Sequence, residues 1–433
     1  MFIVYSASLL PSFSKKIKNK FIMIEFDALI LKVASRCNLN CSYCFMYNLG
    51  DTTYKGQPKF MSYDLIDNIL EKTKKYIKTY KKKEFSFIFH GGEPLLIEKE
   101  FYKSFVAKAN TIQKELGDVE FRYDIQTNGV LIDEDWCKLF RELEIYPSTS
   151  VDGTKKAHDM YRVDHKGVGS YEKVYKAVKL LKKEVGFATV VCVVNTNESP
   201  KSVYESFKKM EVNSVNYLMP DYTHDNYPFN KDGKETPVAD WLIQLFDIWI
   251  KDDDKYQIPM FLGLINNLLG ITKSADNESK VLVIETNGEI EAIDSLKACG
   301  HGFTKSGMNI ATHHFSDIIK SPLGKLYYKD STTKLCAKCI ECPIKSICKG
   351  GRLVHRFKKE NGFNNVSVYC YDLVKLIAHI QNRLIILFPD LYAEESIDEM
   401  KSQGIVDYLN TITKKTHNSK FARELESFKI KVS

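Results

Sequence analysis

The chain alternates short apolar runs with longer amphipathic segments. This alternation restricts the possible folds more than any other feature of the sequence. Six apolar runs predict β-strands, and the segments between them have apolar residues at the spacing of amphipathic helices. Such alternation predicts a parallel sheet with right-handed helical crossovers. The predicted strands are 28–34, 85–90, 121–126, 145–151, 187–194 and 212–219, and the predicted helices are 62–80, 98–116, 134–143, 170–184 and 200–210.

Three cysteines directly follow the first predicted strand, in the spacing Cys37-x₃-Cys41-x₂-Cys44. Three thiolates this close together can bind one metal centre, but they leave a zinc ion or an iron–sulfur cube one ligand short. A structural zinc site normally closes with a nearby fourth Cys or His, and none follows before His90. The spacing therefore favours an iron–sulfur cube with one open iron, over zinc and over buried core cysteines.

This triplet, with Tyr43 just before its last cysteine, resembles the signature of the radical S-adenosylmethionine (radical SAM) superfamily. The resemblance implies that a [4Fe–4S] cluster binds S-adenosyl-L-methionine (SAM) through its open iron and that reductive cleavage yields a 5′-deoxyadenosyl radical. It also implies an α/β fold, namely a partial (β/α)₆ TIM-like barrel. Functional groups in such barrels gather at the C-terminal ends of the strands.

Motifs with glycine and polar residues stand at these predicted strand ends. The Gly-Gly-Glu-Pro sequence after strand two resembles the superfamily motif that binds the SAM amino group, although a tight turn would also use it. Ser150 and Arg162 match positions that hold the SAM carboxylate, and a surface salt bridge is the alternative for Arg162. Val191 matches the position beside the adenine. The SAM-binding residues implied by the resemblance are Tyr43, Gly91, Gly92, Glu93, Ser150, Arg162 and Val191.

After strand six, Asp221 and His224 lie in a polar cluster that would either contact substrate or cap the next helix. Farther on, 281–294 predicts a hairpin around Asn287-Gly288. The cysteines that follow resemble the SPASM extension of peptide-modifying radical SAM enzymes, with a zinc ribbon as the alternative. The resemblance implies at least one auxiliary [4Fe–4S] cluster; its candidate ligands are Cys339, Cys342, Cys348 and Cys370 for an outer cluster, with Cys299 and Cys336 remaining for an inner one.

The sequence departs from the SPASM pattern at two positions of the inner cluster. Ile293 and Arg352 stand where SPASM domains carry cysteines. With these departures, the C-terminal motifs resemble cyclophane-forming maturases, which join an aromatic ring to a side chain in a ribosomal precursor peptide. The related anaerobic sulfatase maturases, which oxidise Ser or Cys to formylglycine, are the alternative, and a non-catalytic metal- or RNA-binding module is a third hypothesis. Asp294 occupies the place of a catalytic Asp in sulfatase maturases and is predicted to be the general base, with a hairpin-end Asp that caps backbone amides as the alternative.

The composition, with 44% hydrophobic and 27% charged residues, is that of a globular protein. Its net charge of +7 is dispersed, which argues against a nucleic-acid partner. No apolar run reaches the ~20 residues of a membrane span, and the cysteine usage favours a reducing cytoplasm. The expected partners are a precursor peptide and a flavodoxin- or ferredoxin-type electron donor. The predicted divisions are an N-terminal extension (1–27), the barrel (28–240), a linker with the SPASM domain (241–380) and a helical tail (381–433).

Overall fold

The computed structural model of the chain describes residues 25–229, 235–271, 281–389, 398–412 and 420–430. Its strands form one sheet in the order β6-β5-β4-β3-β2-β1-β7-β8-β9, and β1 to β6 are parallel. All six predicted barrel strands are confirmed to within two residues. The strands are β1 Ala28–Ala34, β2 Glu84–Gly91, β3 Glu120–Thr127, β4 Ile145–Ser150, β5 Thr189–Val193, β6 Ser214–Leu218, β7 Val281–Ile284, β8 Glu289–Glu291 and β9 Lys305–Asn309.

Helices connect consecutive parallel strands, as the βα alternation predicts, and the five predicted helices are confirmed. One further helix, α4, follows β4; its cap is Thr154, whose side chain accepts a hydrogen bond from the Ala157 amide at 3.2 Å. The helices are α1 Tyr63–Tyr80, α2 Lys99–Leu116, α3 Glu134–Glu142, α4 Lys155–Tyr161, α5 Tyr171–Glu184, α6 Pro200–Met210, α7 Pro237–Trp249, α8 Pro259–Leu268, α9 Pro322–Lys325, α10 Ala337–Glu341, α11 Lys345–Cys348, α12 Cys370–Leu387, α13 Ser402–Thr411 and α14 Ala422–Glu426.

Strand β1 lies in the interior of the sheet and is buried along nearly its whole length. Leu29, Leu31 and Val33 on one face have no solvent exposure and pack in the main apolar core. Lys32, on the other face, is equally inaccessible to solvent. A fully buried lysine needs a charged or hydrogen-bonding partner, so the position of Lys32 points to a polar site at this face.

The predicted hairpin is confirmed as β7 and β8, which pair antiparallel on either side of Gly288, whose φ is 81°. Strand β7 also pairs in parallel with β1, from Ala28 opposite Val281 to Leu31 opposite Ile284. The C-terminal region therefore continues the barrel sheet, and the turn between β7 and β8 lies at the C-terminal end of β1.

Two of the predicted domain boundaries fall inside helices, since 240 lies within α7 and 380 within α12. These two helices belong to one apolar cluster, to which Leu242 and Leu376 contribute fully buried side chains. The tail helix α14 also packs inward, with Leu425 buried against Phe363. Residues 1–24 of the predicted N-terminal extension lie outside the described residues. Among the residues described, no helix has both the length and the apolar character needed to cross a bilayer.

Candidate active site

A cavity of about 380 Å³, here called the central cavity, opens at the C-terminal ends of strands β2 to β6, beside the loop that follows β1. The parallel arrangement of these strands brings distant parts of the chain to this edge. The wall includes all three cysteines of the triplet. Of the predicted SAM-binding residues it includes Tyr43, Gly91, Gly92, Ser150, Arg162 and Val191.

The triplet loop is anchored to the segment after α4, because the Asn40 amide donates to the Val163 carbonyl at 2.7 Å. Two N–H groups point at the Cys37 sulfur, the Leu39 amide at 3.4 Å and the Asn128 side-chain amide at 3.6 Å. Such N–H groups stabilise a thiolate and tune an iron–sulfur cluster. Three thiols on one cavity wall therefore fit a [4Fe–4S] cluster held by three cysteines.

The paired glycines at the end of β2, Gly91 and Gly92, allow close approach to the chain that leads to the triplet. A side chain at Gly92 would lie 2.0 Å from Tyr47 Oη and 2.3 Å from the Arg36 carbonyl. At Gly91 the φ is 143°, and a Cβ atom would lie 2.2 Å from the Ala34 carbonyl. Both positions therefore require glycine, and they hold the end of β2 against the chain that leads to the first cysteine.

The Glu93 carboxylate does not face the central cavity, so the SAM contact predicted for this motif stays a prediction for its backbone. Glu93 is fully buried, and its carboxylate accepts hydrogen bonds from Thr127 Oγ1 at 2.6 Å, the Asn128 amide at 2.7 Å and the Leu95 amide at 3.0 Å. Burial raises the pKa of Glu93 to about 7 despite these bonds, which lower it. Glu93 thus positions the loop after β3. This loop includes Asn128, whose side-chain amide faces the Cys37 sulfur.

Arg162 is buried at the cavity wall, so the alternative of a surface salt bridge is wrong. Its Nε donates to Asp152 Oδ2 at 2.9 Å, and its guanidinium lies 5.4 Å from the centre of the Tyr43 ring. The Tyr43 hydroxyl donates to the same carboxylate. The ion pair with Asp152 orients Arg162 and balances its buried charge. Because Arg162 also lines the cavity wall, its guanidinium can bind an anionic group there.

A buried charged network adjoins the central cavity and was not predicted. The Lys32 ammonium forms an ion pair with Asp294 and lies 3.0 Å from His90 Nδ1. The Gly91 amide donates to the same Nδ1 at 2.8 Å. Since Nδ1 accepts hydrogen bonds, the proton of neutral His90 is assigned to Nε2. His90 lines the cavity, and Lys32 and Asp294 lie behind it.

The network determines the charge states of its members. Burial alone would raise the pKa of Asp294, but the Lys32 ammonium outweighs it and the pKa falls to about 2. Burial lowers the pKa of His90 to about 3. At neutral pH the site therefore combines a permanent carboxylate with an uncharged imidazole. Asp294 is a weak base in its resting state and can take a proton only from a strongly acidic donor.

The polar cluster after β6 joins the barrel to the C-terminal region rather than capping a helix, since α7 begins well beyond it. The His224 amide donates to the Phe357 carbonyl at 2.8 Å, and its Nε2 lies 2.8 Å from the Val366 carbonyl. Asp221 lines the central cavity and accepts a hydrogen bond from Arg352 Nη1 at 2.6 Å. Asp221 is thus placed where it can contact a substrate.

The four predicted ligands of the outer auxiliary cluster share the wall of one cavity, and the cluster itself stays a prediction. One narrow cavity is lined by Cys339, Cys342, Cys348 and Cys370. Cys336 lies within hydrogen-bonding reach of Cys339 and therefore belongs with this outer set. Four thiols match the ligand count of a fully ligated cube, so the donor set fits the predicted auxiliary cluster.

The residues at the expected inner site do not fit a second auxiliary cluster. Ile293 and Arg352 line a cavity of about 250 Å³, here called the inner cavity, and none of its described lining residues is a cysteine. Cys299 is buried in an apolar cluster with Leu296 and Phe357. The structure therefore does not bring Cys299 and Cys336 together at this position.

We expect the chain with Ala at Cys37, Cys41 and Cys44 to retain roughly four irons after anaerobic reconstitution, because the outer set can hold one cube. Iron analysis and the charge-transfer absorption of iron–sulfur clusters measure this. Further replacement of Cys348 and Cys370 by Ala is the control and should remove that iron. Zinc without iron–sulfur absorption in the triple variant would show that the outer site is a zinc ribbon.

Similarity to known proteins agrees with this geometry. Residues 31–210 match the radical SAM superfamily. A cysteine-type anaerobic sulfatase-maturating enzyme from Clostridium novyi is 31% identical over 80% of this chain and 93% of its own length. A serine-type enzyme from Bacteroides thetaiotaomicron is 27% identical over 81% and 88%. The structure of native anSMEcpe with bound AdoMet and the Cp18Cys peptide has a TM-score of 0.70 at 24% identity, covering 84% of this chain and 99% of that one.

The chain therefore belongs to the radical SAM superfamily and is a homologue of the anaerobic sulfatase-maturating enzymes. It is a radical SAM maturase that modifies a peptide or protein substrate, and the superfamily implies a [4Fe–4S] cluster and SAM. The hypothesis of a non-catalytic metal- or RNA-binding module is wrong. Between the two predicted activities, these relatives favour the sulfatase-maturase alternative over cyclophane formation.

Proposed function

We propose that the enzyme oxidises a Cys or Ser side chain of a protein substrate to formylglycine. The observation that carries this proposal is the similarity to a sulfatase-maturating enzyme along 93% of that enzyme's length. The ionised Asp294 behind the central cavity supports it, because the oxidation requires removal of a proton. A reducing electron donor of the flavodoxin or ferredoxin type, and a cytoplasmic location, belong to the same proposal.

The net reaction removes two electrons and two protons from the substrate side chain. When bound, the cluster with SAM supplies a carbon radical that abstracts a hydrogen atom from Cβ, and a cluster in the outer set would supply an electron acceptor. Loss of that electron makes the remaining thiol or hydroxyl proton strongly acidic, so a carboxylate of low pKa suffices to take it. Serine then yields the aldehyde directly, whereas cysteine yields a thioaldehyde that water converts to the aldehyde and hydrogen sulfide.

Within this scheme the protein's own groups have separate tasks. Lys32 keeps Asp294 ionised and fixed in place, and neutral His90 lines the central cavity in front of this pair. Arg162, already oriented by Asp152, meets the SAM carboxylate. Tyr43 and Val191 line the same wall, where the adenosine part of SAM would bind.

A second candidate is formation of a cyclophane crosslink in a ribosomal precursor peptide. It is favoured by Ile293 and Arg352, which stand at the positions of inner-cluster cysteines and line a cavity instead. This reaction also removes one hydrogen atom, one electron and one proton, the last from an aromatic ring that has added the carbon radical. Asp294 would take that ring proton, so its role is common to both candidates.

The two candidates are separated by the chemistry of the product. We expect the reconstituted enzyme, with SAM and dithionite, to convert the Cys residue of the Cp18Cys peptide to an aldehyde. Mass spectrometry measures the change, and an aldehyde-reactive hydroxylamine probe labels the product. An unlabelled Cp18Cys peptide, together with loss of two hydrogens from an aromatic-containing peptide encoded beside the gene, would establish the cyclophane reaction and contradict formylglycine formation.

A further inference from the structure

The inner cavity has a lining suited to an anion. Two cationic residues, Lys349 and Arg352, line it together with three residues that carry hydroxyl groups, Ser295, Ser331 and Thr332. None of the described residues in this wall is Asp or Glu. A cavity lined by two cations and several hydroxyl groups favours a carboxylate over an apolar or cationic group.

The Arg352 guanidinium can donate more hydrogen bonds than the one that it donates to Asp221. Its Nη1 donates to Asp221 Oδ1 at 2.6 Å, and within the described part of the chain no other acceptor is bonded to its guanidinium. Its side chain is 42% exposed. A guanidinium carries five N–H groups in a planar fork that can bind two carboxylates on different edges. Arg352 can therefore keep Asp221 and receive a second carboxylate from the cavity.

The cavity walls are held in place by buried hydrogen bonds. The Tyr328 hydroxyl lies 2.8 Å from the Val281 carbonyl, which fixes the helical segment after α9 against strand β7. The buried Arg356 donates to the Ser331 carbonyl at 2.7 Å and to the Lys334 carbonyl at 3.0 Å. Because these bonds hold the wall residues to the sheet and to neighbouring backbone, the cavity is preformed, which lowers the entropic cost of binding.

The inner cavity also adjoins the central cavity. Ile293 lines it and directly precedes Asp294, whose carboxylate meets Lys32 behind the central cavity. The Arg352–Asp221 pair forms the boundary, since Arg352 lines one cavity and Asp221 the other. A peptide with its reacting residue in the central cavity can therefore place a neighbouring side chain in the inner one.

We propose that the inner cavity is a substrate subsite that binds an acidic side chain of the peptide, with Arg352 as the carboxylate-binding residue. This inference rests on the proposed function only in requiring a peptide substrate, and it is independent of which product is formed. It gives the space at Ile293 and Arg352 a role in substrate selection.

The test uses mRNA-displayed random peptides selected for binding to the cluster-loaded enzyme with SAM. We expect peptides selected by the wild-type enzyme to be enriched in Asp and Glu, and this enrichment to be lost with Arg352→Gln. Arg352→Lys, which keeps the charge but not the planar fork, should retain part of it. Lys329→Gln is the matched control. Lys329 is exposed in the same segment as Tyr328, and its replacement by Gln also removes one positive charge. It should leave the enrichment intact.

A selected peptide and its analogue with Gln in place of Glu then quantify the effect. The wild-type enzyme should bind the analogue about tenfold more weakly, as loss of one charge-assisted hydrogen-bonded pair predicts, whereas Arg352→Gln should not distinguish the two. Circular-dichroism spectra and thermal unfolding midpoints that match those of the wild-type enzyme show that the variants are folded. No acidic enrichment, or equal loss in the Lys329→Gln control, would overturn the subsite. Failure of the product test with acidic enrichment intact would overturn only the proposed reaction.

Discussion

Replacement of Cys37, Cys41 and Cys44 by Ala is expected to abolish formation of 5′-deoxyadenosine under reducing, oxygen-free conditions. All three thiols lie on the wall of the central cavity. Without them, no other described residue in the wall of this cavity offers a thiolate to hold the cluster that binds and reduces SAM. Chromatography of the reaction with SAM and dithionite measures the nucleoside directly, without any need to know the peptide substrate.

The matched control for this experiment is Cys137→Ala. Cys137 is a buried thiol on helix α3 within the main apolar core, away from the central cavity. Its replacement removes a sulfur atom and leaves the triplet intact, so 5′-deoxyadenosine formation should persist. If the triple variant made as much nucleoside as this control, the triplet would have no role in SAM cleavage.

The second large effect is expected at Asp294. Asp294→Asn should form 5′-deoxyadenosine at the wild-type rate but yield about a hundredfold less modified peptide, as is typical when a general base is removed. The amide has the shape of the carboxylate and lacks its charge, so proton removal fails after the radical has formed. The amount of nucleoside relative to the amount of modified peptide is therefore the quantity to measure.

This variant leaves Lys32 buried without its counter-charge, which by itself costs about 3–5 kcal/mol of stability. A double variant, Lys32→Met with Asp294→Asn, removes both charges and should regain much of that stability. It should remain unable to modify the peptide, because the carboxylate is still missing. Full modification by either variant would exclude Asp294 from proton transfer, and loss of nucleoside formation in both would indicate a structural role instead.

The parts of the site that could be predicted from sequence are those encoded within a few neighbouring residues. The strands, the cysteine triplet and the paired glycines depend on short-range patterns, and the structure places them as predicted. The pair of Lys32 and Asp294 depends instead on contact across 262 positions. One signal was present, since Lys32 interrupts the apolar run of a strand with no polar alternation, which indicates a buried charge that needs a partner.

Other differences arise because a motif states which residues occur and not where each side chain points. Glu93 belongs to the Gly-Gly-Glu-Pro sequence, yet its carboxylate turns away from the cavity to bind Asn128. Cys299 and Cys336 have similar surroundings in the sequence, but one packs among apolar side chains and the other beside Cys339. Only tertiary packing separates these cases.

The pairing of β7 with β1 has a consequence for how the two halves of the enzyme depend on each other. In the sheet order, β1 would be an outermost strand if the hairpin were removed, with a row of unpaired backbone groups open to other chains. The hairpin thus protects the half that holds the triplet from edge-to-edge association. It also ties the segment leading to Asp294 to the strand that carries Lys32, so the ion pair of these two residues depends on the pairing of β7 with β1. A substitution that disrupts the pairing of β7 with β1 is therefore expected to disturb the cysteine-triplet half of the enzyme as well as the C-terminal half.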